Sequence, residues 1–479
     1  HTMIALVLHG PSRFDKENNG ILLGPAGDFV RSVLAAHAID LDSSEHVFIT
    51  FADDFFRGAN KPSGITKIIF AGSKSLDYLP AAKGKTLDAF RGVVYTSFNK
   101  TQYIVTYWPQ DCVDAWGMED ALEGEGDGDD ILDKDDGKST SPTKRSNYSF
   151  WFSQDVKKLL TYDTAKEVQS QPDTVVCTRS EEACRVFNYD GPIFFDIETH
   201  PKTNTLTCLA IACGESPVYS VPVYDWGGNL NVGVVFFARF IRELKKRRVV
   251  IHNALFDLCF LAAFYKIPFG PDIYDTMVAG HRIFPEAEKS LAHQATLFSN
   301  RPFHKDEAGN FDPRNRAQFE QLRAYNVKDV IVLREIYYGQ IDLISRDRGL
   351  QDSVDQASRS LADYAFMSLH GMHFDPVKRG YIVRKCEERY KQLNRVLRIL
   401  VGFDLNPGSP DQVVKYLHEQ LRYKPEKTTD KGAPSVAGDA LYKIKLKHPK
   451  NVAIDVIFEM RRMVKLKGML GFQQWIWEY

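Results

Sequence analysis

The sequence predicts an α/β protein of several domains. Short apolar runs of strand length, at 192–196, 207–212, 218–223 and 248–252, alternate with segments of helical period at 234–246, 255–264 and 316–338. The chain has 479 residues, 44% of them apolar and 26% charged, enough for three domains with cores of their own. From about residue 350 the pattern turns helical and basic.

The elements follow in chain order. An apolar strand ends at Gly10-Pro11-Ser12, and Gly24-Pro25-Ala26-Gly27 precedes an amphipathic helix. His46-Val47-Phe48-Ile49-Thr50 and Val105-Thr106-Tyr107-Trp108-Pro109 each suggest a strand. Residues 119–136 carry ten Asp and Glu against one Lys and are followed by Ser139-Thr140-Ser141-Pro142. Such a run buries too little apolar surface to order itself, so 118–147 is expected to be a self-repelling insertion. It lacks the Asp-x-Asp-Gly register and closing Glu of a calcium loop. Formal charge is near balance, with 61 Lys and Arg against 62 Asp and Glu, so without this run the remainder is basic, as a nucleic-acid-binding surface requires. The seven cysteines, Cys112, Cys177, Cys184, Cys208, Cys213, Cys259 and Cys386, form no metal-binding pattern and suggest reduced thiols in a cytoplasmic protein. No stretch of about 18 apolar residues suggests a membrane span.

Four carboxylates carry the chemistry. Asp196 and Glu198 lie in Phe194-Phe195-Asp196-Ile197-Glu198-Thr199, at the end of a buried strand, and at period two they share a face. Two carboxylates held that close repel unless a cation lies between them, and hard oxygen ligands favour Mg²⁺ or Mn²⁺. Asp257 ends His252-Asn253-Ala254-Leu255-Phe256-Asp257, and Asp329 ends Tyr325-Asn326-Val327-Lys328-Asp329. Asn253 suits either the site or a turn. Asp275, in Tyr274-Asp275-Thr276-Met277, suits a helix cap better than a ligand.

In this order, Asp-x-Glu, Asn-x-x-x-Asp and Tyr-x-x-x-Asp resemble the proofreading 3′-5′ exonuclease of family A DNA polymerases, a ribonuclease H-like domain of the DEDD superfamily. Ala324 stands where the histidine subtype carries its His, which points to the tyrosine subtype. The resemblance implies a domain over 172–348 with two Mg²⁺ or Mn²⁺ ions. Asp196, Glu198 and Asp329 would hold the first, and Asp196 and Asp257 the second. Ions about 4 Å apart can activate a water and neutralise the leaving 3′ oxygen. Tyr325, one helical turn before Asp329, would orient that water, and Asn253 and Thr199 would touch the terminal nucleotide.

Residues 1–165 resemble uracil-DNA glycosylases, with Phe150-Trp151-Phe152-Ser153-Gln154-Asp155-Val156 as the closing element. The first block lacks that family's catalytic acid, and Trp108 replaces its histidine, so no glycosylase chemistry is expected. Residues 353–479 resemble the family A thumb: Leu369-His370-Gly371-Met372-His373-Phe374-Asp375 leads in, and Asn406-Pro407-Gly408-Ser409-Pro410-Asp411-Gln412 starts a helix. Lys431, Ser435, Arg461 and Lys465 become candidates for gripping the duplex backbone. Nothing resembles the palm or fingers, which would lie on further sequence of the same polypeptide or on a separate subunit. The apolar residues Met469 to Trp477 suit a partner surface. Together these resemblances imply a DNA exonuclease acting on single-stranded 3′ ends and primer-template duplex within a replicative polymerase, of bacteriophage origin. The alternatives are a scaffold that grips a 3′ end without cutting it and an RNA-trimming nuclease.

Overall fold

The computed structural model describes residues 3–58, 62–97, 99–114, 147–162, 173–200, 205–268, 270–302, 304, 311–371, 375–428 and 433–470. The chain divides into two compact units, 1–369 and 370–479.

Among the described residues the first unit contains two mixed sheets. In one, β1 (Met3–Leu8), β2 (Val47–Phe51), β3 (Ile65–Ala71) and β5 (Gln102–Thr106) run parallel in the order β2-β1-β3-β5, and β4 (Tyr95–Thr96) adds an antiparallel edge. Alternation along β1 sets the two cores. Ile4, Leu6 and Leu8 pack with α1 (Gly24–Ala35) and α2 (Tyr148–Thr161), while Ala5 and Val7 pack with Phe55, Phe70 and Phe90. The strand expected at 105–109 ends at Thr106, so Tyr107, Trp108 and Pro109 follow it. Most of the acidic insertion lies outside the described residues. On either side of it, Cys112 and Trp151 belong to one core.

The second sheet has six strands among the described residues. Its middle is an antiparallel meander of β7 (Ile193–Thr199), β8 (Leu206–Cys213) and β9 (Val218–Pro222). Parallel strands flank it: β6 (Thr174–Val176) beside β9, and β10 (Val249–Ile251) and β11 (Ile273–Asp275) beyond β7. Ile193, Phe195 and Ile197 pack against α3 (Val234–Leu244) and α4 (Ala254–Tyr265). Phe194 faces the other way, into a core with α5 (Thr276–Ile283) and the long α7 (Arg316–Ile344), which α6 (Leu291–Phe298) also packs against.

A polar seam joins the two sheets' layers. Lys158 is half-buried, and its ammonium donates to the carbonyls of Gly92, Thr296 and Ser299. Thr296 and Ser299 lie at the C-terminal end of α6, where a cation is favoured. Asn300 pairs with both backbone groups of Val94, at 2.7 and 2.9 Å. Beside them the Arg91 guanidinium meets the Asp155 carboxylate at 3.1 Å, both fully buried, and Thr106 donates to the same carboxylate.

The second unit is helical. Asp375 caps α8 (Pro376–Val401), Pro376 opens it, and Gly402 closes it in the left-handed region at φ 86°. A core of Leu393, Leu397, Leu417, Leu441, Ile457 and Met460 joins α8 to α9 (Gly438–Lys447) and α10 (Val452–Leu470). Ser409 caps the helix that begins at Pro410, as its sequence predicts. All seven cysteines are free and buried, and no described helix is long and apolar enough to cross a membrane.

Candidate metal centre

The site forms where the carboxyl end of β7 meets the middle of α7. Phe194, Asp196 and Glu198 occupy alternate positions of β7, and Phe194 shares a core with Val327, Val330 and Ile331 of α7. The two carboxylates therefore face that helix. Asp196, Glu198 and Asp329 each offer an oxygen, and these atoms all lie within 4.8 Å of one another. Three hard, anionic oxygen donors at that spacing fit a divalent cation of the Mg²⁺ or Mn²⁺ type. Asn326, one turn before Asp329, donates its side-chain amide to Asp196 Oδ2 at 2.6 Å and to the Asp196 carbonyl at 3.2 Å.

Asp257 approaches along the edge of β7 that β10 leaves open. β10 pairs with β7 only as far as Phe194, which leaves the edge beyond it uncovered by a strand. The first turn of α4 lies along that edge, and Asp257 Oδ1 accepts the Ile197 amide at 3.2 Å. Burial pushes the Asp257 carboxyl well above the usual range; Asp275 and Glu198 add to the rise, and the Ile197 amide opposes it. Asp257 thus borders the three-carboxylate group without belonging to it.

Asp275 has a different environment. Its carboxylate accepts the amides of Asn253, Ala254, Met277 and Val278, and so caps α5 while fixing the start of α4. Asn253 adopts φ 62°, the left-handed conformation that Asn tolerates, at the first cap of α4. Thr199 ends β7 opposite Leu206. Tyr325 is buried on α7 one turn before Asp329.

His304 and Asn326 were missed by the sequence reading. His304 Nε2 lies 2.7 Å from Asp329 Oδ1, both groups are buried, and the imidazole meets the Tyr325 ring edge-on with centroids 5.6 Å apart. Asn326 was within reach of helical spacing, three residues from Asp329. His304 comes from the stretch before α7 and carries no such signal.

In the second unit, Arg461 donates to the carbonyls of Pro407 and Val436 at 2.8 and 2.7 Å, and so ties the segment before the helix at Pro410 to the one that follows Ser435. Ser435 donates its amide to the Lys427 carbonyl, and Lys465 is exposed. Lys431 and residues 471–477 of the apolar ending lie outside the described residues.

No protein-family model matches the chain, and no curated protein matches it. Among solved structures, the POL domain of Pol1 from M. smegmatis, in complex with DNA primer-template and dNTP, is similar over 62% of this chain and 49% of that one, at 15% identity and a TM-score of 0.45. The chain therefore spans about half the length of that neighbour. A structure described as the apo form of a nuclease is similar over 43% of this chain and 98% of its own, at 17% identity and a TM-score of 0.34. Neither likeness carries a functional conclusion. Fold and site define a mixed α/β protein with a three-carboxylate group on one sheet face.

Proposed function

We propose that the chain is a metal-dependent 3′-5′ DNA exonuclease, the proofreading part of a family A-like replicative polymerase. The observation that carries the proposal is the meeting of Asp196, Glu198 and Asp329 within 4.8 Å. They come from two segments far apart in sequence, and they are the residues that the motif resemblance singles out for one ion. When bound, Mg²⁺ or Mn²⁺ would supply charge neutralisation at the scissile phosphate and a more acidic water.

The chain's own residues have the following roles in this proposal. Asp196, Glu198 and Asp329 bind the ion, and Asp257, held by the Ile197 amide, supports a second. Asn326 keeps Asp196 turned toward the cluster. The Tyr325 hydroxyl orients the attacking water, while Asn253 and Thr199 contact the terminal nucleotide. Ser435, Arg461 and Lys465, with Lys431, contact the duplex backbone, and Arg461 also braces the segments beside it. The first sheet and its helices form a glycosylase-like domain without glycosylase chemistry.

The test is a 5′-labelled single strand incubated with the purified chain and Mg²⁺ or Mn²⁺. Stepwise shortening from the 3′ end is expected, and Asp196→Ala should slow it by more than the ~100-fold that loss of an outer partner of a metal ligand can cost. A strand bound by both proteins and cut by neither would support a scaffold instead. Cutting of RNA alone would support an RNA-trimming nuclease. Uracil-containing DNA should acquire no abasic sites.

A further inference from the structure

We infer that His304 is a positioning residue for the metal centre, holding Asp329 and Tyr325 in register with Asp196 and Glu198. This rests on the exonuclease proposal for its substrate but not for its metal.

One side chain from outside the motifs touches two motif residues. The imidazole Nε2 is 2.7 Å from Asp329 Oδ1, and the ring packs edge-on against Tyr325, 5.6 Å between centroids at 62°. Tyr325 and Asp329 are one helical turn apart on α7. His304 therefore braces the two positions from one side, as Asn326 braces Asp196 from another. A carboxylate has two oxygens. A hydrogen bond to one fixes the plane of the group and leaves the second able to face a cation, the arrangement by which outer partners orient metal ligands. His304 and Asp329 are 7% and 3% exposed, so water is a poor substitute for the bond. A cavity of about 450 Å³ borders His304, lined also by Arg301, Arg323 and Lys328. The ring is thus bordered by open space on one side and held by Asp329 and Tyr325 of α7 on the other.

The experiment measures Mn²⁺ binding to the full chain without DNA, from the resonance signal of free Mn²⁺, for the parent and for His304→Ala, His304→Met and His304→Gln. Asp196→Asn identifies which binding belongs to the site. Ala and Met remove the donor, Met keeping most of the volume, whereas Gln retains an N–H. The inference expects Mn²⁺ affinity to fall by ~10–100-fold in Ala and Met and to recover substantially in Gln. On a labelled strand, kcat should fall while KM for DNA stays close to the parent's. If Ala does not fold, the Met and Gln pair decides.

Equal Mn²⁺ affinity in the parent and the Met variant overturns the inference. So does tighter binding in Met, which would mean that the imidazole competes with the ion. If the parent binds Mn²⁺ through Asp196 yet leaves DNA intact, the exonuclease proposal fails while the His304 result still stands or falls on affinity. If the parent cuts DNA and the Met variant binds Mn²⁺ equally well, only the His304 inference fails. A parent that binds no Mn²⁺ overturns both.

Discussion

Three aspartates of the second sheet's layer share a side chain and differ in what surrounds it. Asp275 accepts four backbone amides, which matches its carboxylate to fixed dipoles and leaves it a structural cap. Asp257 accepts the Ile197 amide and is pushed upward by burial and by Asp275 and Glu198, a strain that a nearby dication would offset. Asp196 is held by Asn326, which is only 1% exposed. Asn326→Leu removes that buried donor from a half-buried, charged acceptor and should cost about 1–3 kcal/mol in urea unfolding. It should also weaken Mn²⁺ binding, because Asp196 loses the bond that orients it. Unchanged stability with unchanged Mn²⁺ affinity would contradict the account. The Asp-x-Glu spacing was legible in the sequence because strand period fixes the relation of residues two apart. The role of Asn326 emerged only when β7 and α7 came together.

At the scale of elements, the meander from β7 through β8 to β9 sets where the carboxylates point. Its approach is tight: Gly191 and Gly214 both have positive φ, and a Cβ on Gly214 would lie 2.2 Å from the Asp190 carbonyl. Arg334 of α7 binds the carbonyls of Gly214 and Ser216, so this turn also anchors the helix that carries Asp329. Gly214→Ala combines the left-handed strain with a backbone clash and should cost at least about 1–3 kcal/mol by thermal or urea unfolding. A neutral result would show that the turn relaxes easily. The four strands and three helices read from periodicity in this domain all exist, because alternation and helical spacing are local properties. The boundaries shifted. Strand β7 continues through Glu198 to Thr199, where it pairs with β8 rather than ending at Asp196. The early end of β10 opened the edge that Asp257 occupies, and no local pattern announces which of two paired strands stops first.

At the scale of the whole molecule, the buried seam decides how the first unit holds together. Burial pushes the Lys158 ammonium down to about 8 from its ordinary 10.5, with Asp155 and Glu335 acting against the fall and Arg91 adding to it. Below pH 8 both folded and unfolded chains carry the proton, and the folded state bears the full cost of burying the charge. Between about 8 and 10.5 the unfolded chain binds more protons, so this group's contribution to stability rises with pH. The thiols of Cys112 and Cys213, pushed up by burial in the folded chain, lose their protons more readily once unfolded and oppose this rise, so the comparison needs a reference protein. Relative to Lys158→Met, the parent should gain about 2 kcal/mol between pH 7.5 and 9.5 in urea unfolding. A pH-independent difference would mean that the three carbonyls keep the ammonium charged throughout. None of this seam was visible in the sequence, where Arg91, Asp155, Lys158 and Asn300 are scattered polar residues in unremarkable contexts.

The sequence by itself determined the α/β character, the caps at Asp275 and Ser409, and the shared face of Asp196 and Glu198, since each depends on residues a few positions apart. Tertiary structure decided that Asp329 joins that pair, that Asp257 approaches along a strand edge, that His304 holds Asp329, and that Arg461 spends its guanidinium on two loops. The physical reason is that hydrogen bonding and loss of solvent are settled by whichever distant groups arrive at the same place, and chain spacing does not encode that arrival.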